Sequence, residues 1–506
     1  MTMTFTEVIL AVLSPKNLFL IAAGVYSGII VGAIPGLTVT MAVALLVSLT
    51  YGWPMVEATA LMMGIYAGGV YGGSWSAILM NIPGAPAAVS TGFDGYPLAK
   101  RGEAGQAIGL ATTQSFVGGL LGIAALAFGA PVVANFALGF GPQEYFLLTM
   151  FGMAILGYLS GTSLPRGILA AAFGVFFGLV GMDPVYGTGR FTFHNVYLLG
   201  GVHFIPILIG LFGLSEVFYQ MKQDVQGEVT TTVGSVIPKF SMMVKNMWLT
   251  LRCAVIGVFI GALPGVGGDV AALTAYAHAK QTVRNPSRPF GEGAYEGVIA
   301  PETANNACIG GALIPMITLG IPGDAVTAVL LGAMYIHGLK PGPMVMLESR
   351  SFFWLVVASS FIANIFMVLL GLGTVGYCSR IIMVKKEILM PIVVLFSLLG
   401  SFVVENNIFH VIIAMVFGIL GYFMKTLDIP VGPMVLGVIL GPMADVSLRR
   451  ALIIADESIP RLLWSFVTRP ISLVLALALV WILLGETPLF RIMKSRLFPA
   501  AGGARG

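Results

Sequence analysis

Residues 28–36 read GIIVGAIPG and residues 257–265 read GVFIGALPG, so one unusual pattern occurs twice in this chain. Each copy is followed by a second shared motif, NIPG at residues 81–84 in the first half and GIPG at residues 320–323 in the second. The spacings between the two motifs differ by about ten residues, a difference that a loop insertion absorbs at little cost. Two ordered pairs of this kind predict an internal duplication.

The composition predicts a membrane protein. Of 506 residues, 57% are hydrophobic and 9% are charged, whereas soluble domains contain about 25% charged residues. Apolar runs recur from Leu18 to Leu484, and bilayer-length runs of about 20 residues leave room for about 10–12 transmembrane helices. The predicted fold class is therefore an all-α polytopic membrane protein built from two homologous repeats. Hydropathy alone leaves open whether these repeats are parallel or inverted.

Changes in polarity divide the chain into four expected regions. These are a first transmembrane repeat (1–219), a polar central linker (220–246), a second transmembrane repeat (247–485) and a basic C-terminal tail (486–506). We expect no cleaved signal peptide, and the basic tail favours a cytoplasmic carboxyl terminus. The charged stretch 446–463 is predicted to be an amphipathic surface helix or a loop. The Lys and Arg residues are scattered among loops, which is more typical of residues that set membrane orientation than of a nucleic-acid-binding surface.

The Pro-Gly steps predict helix breaks at membrane depth. Proline removes a backbone donor, and lipid tolerates the freed backbone groups only where protein or a wet cavity satisfies them. Before the first step, glycines recur every fourth residue at Gly24, Gly28 and Gly32, a spacing typical of close helix packing. Gly257 and Gly261 repeat that spacing in the second half and carry the same interpretation.

Asp269 is the strongest candidate for a residue that binds a coupling ion. It follows the second-half break, and an ionisable residue at membrane depth is a functional hypothesis because of its insertion cost. Thr40 holds the corresponding position in the first half. Carbonyl groups freed around Gly36 and Gly265 would complete an oxygen shell for a hard cation. The alternative is that Asp269 only caps the restarted helix.

The second motif of each half lies among amides and hydroxyls, which indicates a substrate site. Asn81 in the first half, and Asn305 and Asn306 in the second, are expected close to the breaks. Helix amino termini after these breaks would offer unpaired N–H groups and partial positive charge to a carboxylate, without Lys or Arg. The alternative is that the polar side chains only tie helices together.

Other chemistries lack support in the sequence. The five histidines are far apart, with no metal-ligand spacing, and neither a phosphate-binding loop nor a hydrolase signature occurs. Cys253, Cys308 and Cys378 stand alone in apolar segments and are interpreted as packing residues. We therefore expect no enzyme and no cofactor, and the only metal ion considered is a transported sodium.

These motifs resemble the TctA family, the large transmembrane subunit of tripartite tricarboxylate transporters. The resemblance covers the whole chain and rests on residues 32–41, 71–86, 94–105, 301–306 and 320–343. It implies a multi-pass permease of the bacterial inner membrane with inverted repeats and about twelve spans. It also implies a small four-span membrane subunit and a periplasmic solute-binding protein as partners. Carboxylate import in such a system would be driven by a sodium or proton gradient.

The motifs and the resemblance together nominate specific residues. Substrate binding is assigned to Ser74, Asn81, Pro83, Gly84, Thr91, Asn305, Asn306, Pro322, Gly323, Asp324 and Thr327. Ion coupling is assigned to Gly36, Thr40, Asp94, Gly265 and Asp269. Trp75 departs from the expected small residue and either favours a bulkier or aromatic acid or packs outward into lipid. The alternative functions are a stand-alone ion-coupled carboxylate permease and a membrane scaffold that does not transport.

Overall fold

The computed structural model describes residues 3–159, 164–222, 236, 240–377, 380, 382, 384 and 386–485. Before the central linker the helices are α1 (Phe5–Val12), α2 (Pro15–Ala33), α3 (Val39–Leu49), α4 (Met55–Met80), α5 (Val89–Lys100), α6 (Ala104–Ala137), α7 (Pro142–Leu159), α8 (Leu164–Gly178), α9 (Val196–Leu199), α10 (Phe204–Leu208) and α11 (Ser215–Gln220). A 3-10 turn, Pro86–Ala88, precedes α5, and a π-helical segment, Ile209–Leu214, joins α10 to α11.

The second half continues the helical pattern. Its helices are α12 (Phe240–Lys245), α13 (Met247–Gly261), α14 (Gly267–Thr282), α15 (Glu296–Leu319), α16 (Ala325–Ile336), α17 (Val345–Glu348), α18 (Arg350–Thr374), α19 (Lys386–Val403), α20 (Ile408–Thr426), α21 (Val431–Ile454), α22 (Ile459–Thr468) and α23 (Pro470–Gly485). Two short strands, β1 (Gly181–Met182) and β2 (Gly189–Arg190), form an antiparallel hairpin between α8 and α9.

The chain forms two compact units. One contains the described residues of Met1–Leu138 and His203–Thr426, and the other contains those of Gly139–Val202 and Leu427–Gly506. All four Pro-Gly motifs lie in the first unit, so this unit combines parts of both sequence repeats. In the second unit α8 packs on α21, and a Cβ added at Gly174 would lie 2.0 Å from the Met434 carbonyl oxygen.

The helix lengths and compositions are those of an all-α polytopic membrane protein, as predicted. In the described part of the chain five helices (α2, α6, α18, α20 and α21) are long and apolar enough to cross a bilayer. A sixth candidate is the pair α22 and α23, which is bent by 101° at its break. Several other apolar helices are shorter, at 10–17 residues. Fewer long apolar helices are therefore seen in the described residues than the predicted ten to twelve spans.

The prediction of one surface helix or loop over residues 446–463 is wrong. Residues up to Ile454 continue α21, and α22 begins separately at Ile459. The charge on α21 is accommodated by ion pairs, since Arg449 Nε lies 2.9 Å from Asp445 Oδ1 and Arg449 Nη1 lies 3.4 Å from Asp183 Oδ2. Most of the predicted central linker (223–235 and 237–239), the predicted tail 486–506 and Cys378 lie outside the described residues.

The glycine spacing produces backbone-to-backbone helix packing, which confirms its interpretation. A Cβ added at Gly24, Gly28 or Gly32 of α2 would lie 2.2–2.6 Å from a backbone oxygen of α4. Gly257 and Gly261 of α13 approach backbone oxygens of α15 equally closely, at 2.2 and 2.4 Å. Small residues let these helix axes approach each other to a distance that larger side chains would prevent. The two halves thus use the same packing device.

Candidate functional site

The Pro-Gly motifs interrupt helices, as the sequence predicts. In each half one helix ends shortly before the first motif and a second helix ends shortly before the second motif. The last residues of these helices are, in chain order, Ala33, Met80, Gly261 and Leu319. A new helix or helical turn begins after each break. Four helix starts therefore follow breaks in apolar sequence, and the first N–H groups of a helix have no partner within that helix.

Within each half the second break packs directly on the helix that precedes the first break. A Cβ added at Gly84 would lie 2.0 Å from the Gly32 carbonyl oxygen. A Cβ added at Gly323 would lie 2.4 Å from the Gly261 carbonyl oxygen. These glycines are buried. The duplicated motifs thus make duplicated contacts, and each half brings its two breaks together.

The helices that follow the breaks also pack across the two halves. Helix α14 of the second half contacts the 3-10 turn Pro86–Ala88 and α5 of the first half. Helix α16 of the second half contacts α3 of the first half. A hydrogen bond crosses at the same place, because the Tyr66 hydroxyl on α4 donates to Asp324 Oδ2 over 2.5 Å. The breaks of both halves therefore contribute to one region.

Asp324 is held in this region as the N-cap of α16. Its Oδ1 accepts hydrogen bonds from the backbone N–H and the hydroxyl of Thr327, both at 2.7 Å. The Asp324 backbone N–H donates in return to Thr327 Oγ1 over 2.8 Å, which completes a capping box. Both carboxylate oxygens of Asp324 thus have protein partners. The structure gives Asp324 and Thr327, which were predicted to bind substrate, a role in positioning the start of α16.

Asp269 lies in the first turn of α14, and its side chain is exposed. Gly267 lies between the two aspartates, since a Cβ added there would lie 2.9 Å from Asp269 Oδ1 and 3.7 Å from Asp324 Cβ. A carboxylate in the first helical turn interacts favourably with the helix dipole. That interaction agrees with the helix-capping alternative and leaves the exposed carboxylate accessible to a cation.

Asn305 is a buried polar residue of the region whose side-chain nitrogen lacks a partner, and the buried Ser90 hydroxyl on α5 lacks one as well. The Asn305 side chain is 3% exposed, and its Nδ2 makes no hydrogen bond. Its carboxamide lies against the start of α14, because a Cβ added at Gly268 would lie 2.3 Å from Asn305 Oδ1. A buried donor without a partner costs about 1–3 kcal/mol. Such a group in a native protein calls for an explanation, and a ligand atom supplies one.

Tyr66 is a residue that the sequence analysis missed. It precedes Asn81 by the same number of positions by which Asn305 precedes Gly320, so the two residues occupy equivalent places in the repeats. Both are buried on the helix that leads into a second break. Aligning the repeats on these motifs, rather than searching for polar clusters, would have nominated Tyr66 from the sequence.

Gly36 and Gly265, which were predicted to contribute to an oxygen shell for a cation, lie in two different environments. A Cβ added at Gly36 would lie 2.5 Å from the side-chain carbon Cδ of Gln220. The Gly265 N–H donates to the Pro322 carbonyl over 3.2 Å. Thr40, on α3, is buried at 8% exposure. Asp269 is therefore the member of the predicted ion-coupling set that combines a charge with an accessible position at a break.

Asn81 has a backbone role that the sequence analysis did not recognise. It ends α4 in the left-handed conformation, with φ of 57°, and Gly320 ends α15 in the same way, with φ of 69°. Glycine and asparagine are the residues that most readily adopt this helix-ending conformation. The Asn81 side chain is exposed, and a Cβ added at Gly92 would lie 3.6 Å from its Oδ1.

Replacement of Asn81 with glycine separates its backbone role from substrate binding. Because Gly320 already occupies the equivalent position, we expect Asn81→Gly to keep the fold while removing the side chain. If the amide binds substrate, uptake should fall by about 10-fold, the value of one hydrogen bond of about 1.4 kcal/mol. Wild-type uptake by Asn81→Gly, together with loss of folded protein in Asn81→Val, would show that Asn81 only ends the helix.

Three other residues that were predicted to bind substrate are buried and bonded within the protein. Ser74 Oγ donates to the Tyr71 carbonyl over 2.8 Å, and Asn306 Nδ2 donates to the Glu302 carbonyl over 3.1 Å. Thr91 Oγ1 donates to Glu302 Oε1 over 2.6 Å. Hydrogen bonds within their own helices thus satisfy the side chains of Ser74 and Asn306. Glu302 was not nominated from the sequence, where it was only one residue of a family motif, but it is the residue to which Thr91 is bonded.

Asp94 is an anchor between the two halves. Its Oδ1 accepts hydrogen bonds from the backbone N–H groups of Gly291, Gly293 and Ala294, at 2.8–2.9 Å. Its Oδ2 accepts a hydrogen bond from the Tyr276 hydroxyl over 2.9 Å. Four donors occupy this carboxylate, and hydrogen bonds to charged groups are among the strong ones. We therefore do not carry Asp94 forward as an ion-coupling residue.

Trp75 is fully buried, so the alternative that it packs outward into lipid is wrong. Its exposure is 0%, and its indole Nε1 donates to the Tyr71 hydroxyl over 2.7 Å. That hydroxyl also lies 2.6 Å from Thr112 Oγ1 on α6. The indole thus finds the polar partner that a buried tryptophan usually needs.

In the described part of the chain, no cluster of three or more His, Cys, Asp or Glu side chains could hold a metal ion.

Comparisons with known proteins identify the family of this chain. The family described as the tripartite tricarboxylate transporter TctA family matches residues 18–436. An Agrobacterium vitis protein, described as an uncharacterized 52.8 kDa protein in the TAR-I ttuC' 3' region, is 34% identical over 500 residues, which cover 96% of each chain. A second A. vitis protein, described as an uncharacterized protein in the TAR-II ttuC' 3' region, is 37% identical over 245 residues, 48% of this chain and 98% of its own. No solved structure matches. The chain belongs to the tripartite tricarboxylate transporter TctA family.

Proposed function

We propose that this protein imports carboxylates by secondary active transport, driven by a sodium or proton gradient. The observation that carries the proposal is the unpaired Nδ2 of Asn305, buried beside the start of α14 where two aspartates and both halves of the repeat meet. A carboxylate oxygen of the substrate would accept a hydrogen bond from this amide. N–H groups in the first turn of a helix, which have no partner within the helix, would add further donors.

The local charge pattern supports the recognition of an anion by neutral donors. The segments 81–91 and 301–327 contain no Lys or Arg, so a substrate carboxylate would be held by amide and backbone N–H groups. The nearby carboxylates of Asp269 and Asp324 would repel an anion. A cation at the exposed Asp269 would offset that repulsion, and this gives a physical reason for cotransport of an ion with the substrate.

The arrangement of the breaks supports a transport role over a scaffold role. A scaffold needs helix packing, which the glycines already provide, and gains nothing from a buried donor that lacks a partner. Transporters with duplicated halves place their substrate sites at the repeat interface, on broken helices. We also propose that the two halves are inverted, since that symmetry lets one site open alternately to the two sides of the membrane.

The proposed assembly follows from membership of the family. We propose that the chain works in the bacterial inner membrane with a small four-span membrane subunit and a periplasmic solute-binding protein. A stand-alone permease is the alternative. Omitting the binding protein separates the two, because a tripartite system should lose uptake at low substrate concentration while a stand-alone permease should not.

Uptake into proteoliposomes tests the function. The vesicles would hold this chain, its small subunit and its binding protein, and would be offered labelled citrate, succinate and benzoate under a sodium gradient or a proton gradient. We expect gradient-dependent accumulation of at least one acid, and none in vesicles without this chain. No accumulation of a wider panel of di-, tri- and aromatic carboxylates under either gradient would refute the proposal.

A further inference from the structure

Glu302 is a buried acid at the interface of the two halves, outside the substrate site described above. It lies on α15, three residues before Asn305, and its side chain is 1% exposed. Thr91 Oγ1 on α5 lies 2.6 Å from its Oε1, and Ser115 Oγ on α6 lies 2.7 Å from its Oε2. A second-half carboxyl group is thus enclosed by two first-half hydroxyls.

No charged side chain compensates Glu302 in the described part of the chain. Its interactions are those with Thr91 and Ser115, and no charged or titratable group adds to them. Helix α6 carries no titratable side chain. The titratable groups on α15 and on the other helices packed against it are Glu57, Tyr66, Tyr71, Asp94, Tyr96, Lys100, Arg252, Cys253, Asp269, Tyr276, His278, Lys280, Glu296, Cys308, Tyr335 and Glu348.

The two hydroxyl partners suit a group that changes its protonation state. A hydroxyl both donates and accepts, so Thr91 and Ser115 can donate to a carboxylate, and either can accept from a carboxylic acid. Both oxygens of Glu302 have such a partner. Asp94 has one only at Oδ2, where the Tyr276 hydroxyl lies, since the three backbone N–H groups at its Oδ1 can only donate.

The position of Glu302 links its proton to the substrate. Glu302 is one helical turn from Asn305, so an ionised Glu302 and a substrate carboxylate bound at Asn305 would repel each other in a medium of low dielectric. A proton on Glu302 removes that repulsion. The same proton lies between α15 and the α5–α6 pair, where the second-half helix meets the first half.

We propose that Glu302 is a proton-binding site that takes up a proton when the carboxylate substrate binds and releases it when the substrate leaves. The inference rests on the proposed transport function and deepens it, since it makes a proton one of the coupling ions. On one side of the membrane an O–H bond of a hydronium ion breaks and an O–H bond forms at one carboxyl oxygen of Glu302, leaving neutral water. On the other side that Glu302 O–H bond breaks and the proton passes to a water molecule, which becomes hydronium.

Infrared difference spectroscopy of the reconstituted complex tests proton binding without requiring transport. We expect a carboxylic-acid C=O band that grows as the pH falls from about 9 to about 5, a range above the ordinary Glu pKa of about 4.3, and that is absent from Glu302→Gln. Ser115→Ala, which removes one hydroxyl partner, should shift the frequency or the titration midpoint of that band. A band that persists in Glu302→Gln, or no titrating band in the wild type, would overturn the proposal.

Glu103→Gln is the matched control. This carboxylate lies outside the spanning segments, and its hydrogen bond with the Arg288 guanidinium, at 2.6 Å, holds the pKa of Glu103 below its usual range. Glu103 therefore stays ionised throughout the titration and should contribute no protonated band. We expect Glu103→Gln to retain the wild-type spectrum and wild-type uptake.

Transport measurements on the same vesicles distinguish a failure of proton coupling through Glu302 from a failure of the proposed carboxylate transport. With labelled citrate, succinate and benzoate as probes, Glu302→Gln should lose accumulation driven by a pH gradient and keep the exchange of internal for external acid at equal pH. Accumulation driven by the pH gradient at the wild-type level in Glu302→Gln would refute proton coupling through this residue. A wild-type protein that moves none of the acids would instead refute the proposed function, while the infrared band still reports on Glu302.

Discussion

Asn305→Ala should lower carboxylate uptake by about 10- to 100-fold at subsaturating substrate, while the yield of folded protein stays the same or rises. The factor corresponds to the loss of a hydrogen bond to a charged group, about 1.5–3 kcal/mol. The stability expectation has the opposite sign because Asn305 Nδ2 is buried without a partner. Removing such a donor removes its desolvation penalty, which offsets the small cavity that alanine leaves.

Asn364 provides the matched control for this prediction. It is also 3% exposed, but its Nδ2 donates to the Phe116 carbonyl over 2.9 Å. Asn364→Ala should therefore destabilise the protein by about 1 kcal/mol and leave uptake per folded transporter unchanged. The measurements are initial uptake rates in proteoliposomes and the thermal unfolding of purified protein. If Asn305→Ala loses stability and keeps uptake, Asn305 is a packing residue and the proposed site is wrong.

Gly84→Ala and Gly323→Ala should each cause a severe loss of folded protein and of uptake. Both glycines have backbone conformations that other residues can adopt, so space alone opposes a side chain. The new methyl groups would lie 2.0 Å from the Gly32 carbonyl oxygen and 2.4 Å from the Gly261 carbonyl oxygen. Backbone atoms within helices cannot move aside as a flexible side chain can. Overpacking of this kind typically costs about 1–3 kcal/mol.

Gly373→Ala is the control for these two variants. Gly373 lies within helix α18, and a Cβ added there would meet no atom within 4 Å. Alanine should stabilise this helix by about 0.5–1 kcal/mol through its lower backbone entropy. Fluorescence size-exclusion of detergent extracts measures the folded fraction, and uptake is normalised to it. Wild-type folding and uptake by Gly84→Ala and Gly323→Ala would show that the breaks do not pack on the glycine helices.

The sequence by itself was sufficient to predict the membrane class, the positions of the helix breaks and the family. These properties depend on local chemistry. A chain with so few charged residues is suited to a lipid environment. Proline and glycine interrupt the hydrogen bonding of their own helix, and this does not depend on the neighbours of that helix. The glycine-based packing of α2 and α13 was predictable for the same reason, because residues four apart share one helix face. Gly84 and Gly323 each contact a glycine of the other motif in the same half, so motifs that are apart in sequence are in contact in the structure.

Only the tertiary structure decided which polar side chains have partners. The sequence placed Asp94, Asp269 and Asp324 in similar polar contexts, yet four donors hold Asp94, a helix cap and Tyr66 hold Asp324, and Asp269 is exposed. Successive residues of a helix point about 100° apart. The neighbour that a side chain meets therefore depends on how each helix is rotated and on what packs beside it.

The same reason explains the residues that sequence reasoning overlooked or misjudged. Asn81 was predicted as a substrate ligand because its amide is polar, whereas its left-handed backbone gives it a role in ending α4. Glu302 became visible only once hydroxyl partners from the opposite half were placed beside it. Those partners lie far away in sequence, so no local pattern indicates them. Local sequence determines where the helices break, but the hydrogen bonds around these breaks depend on how the two halves pack together.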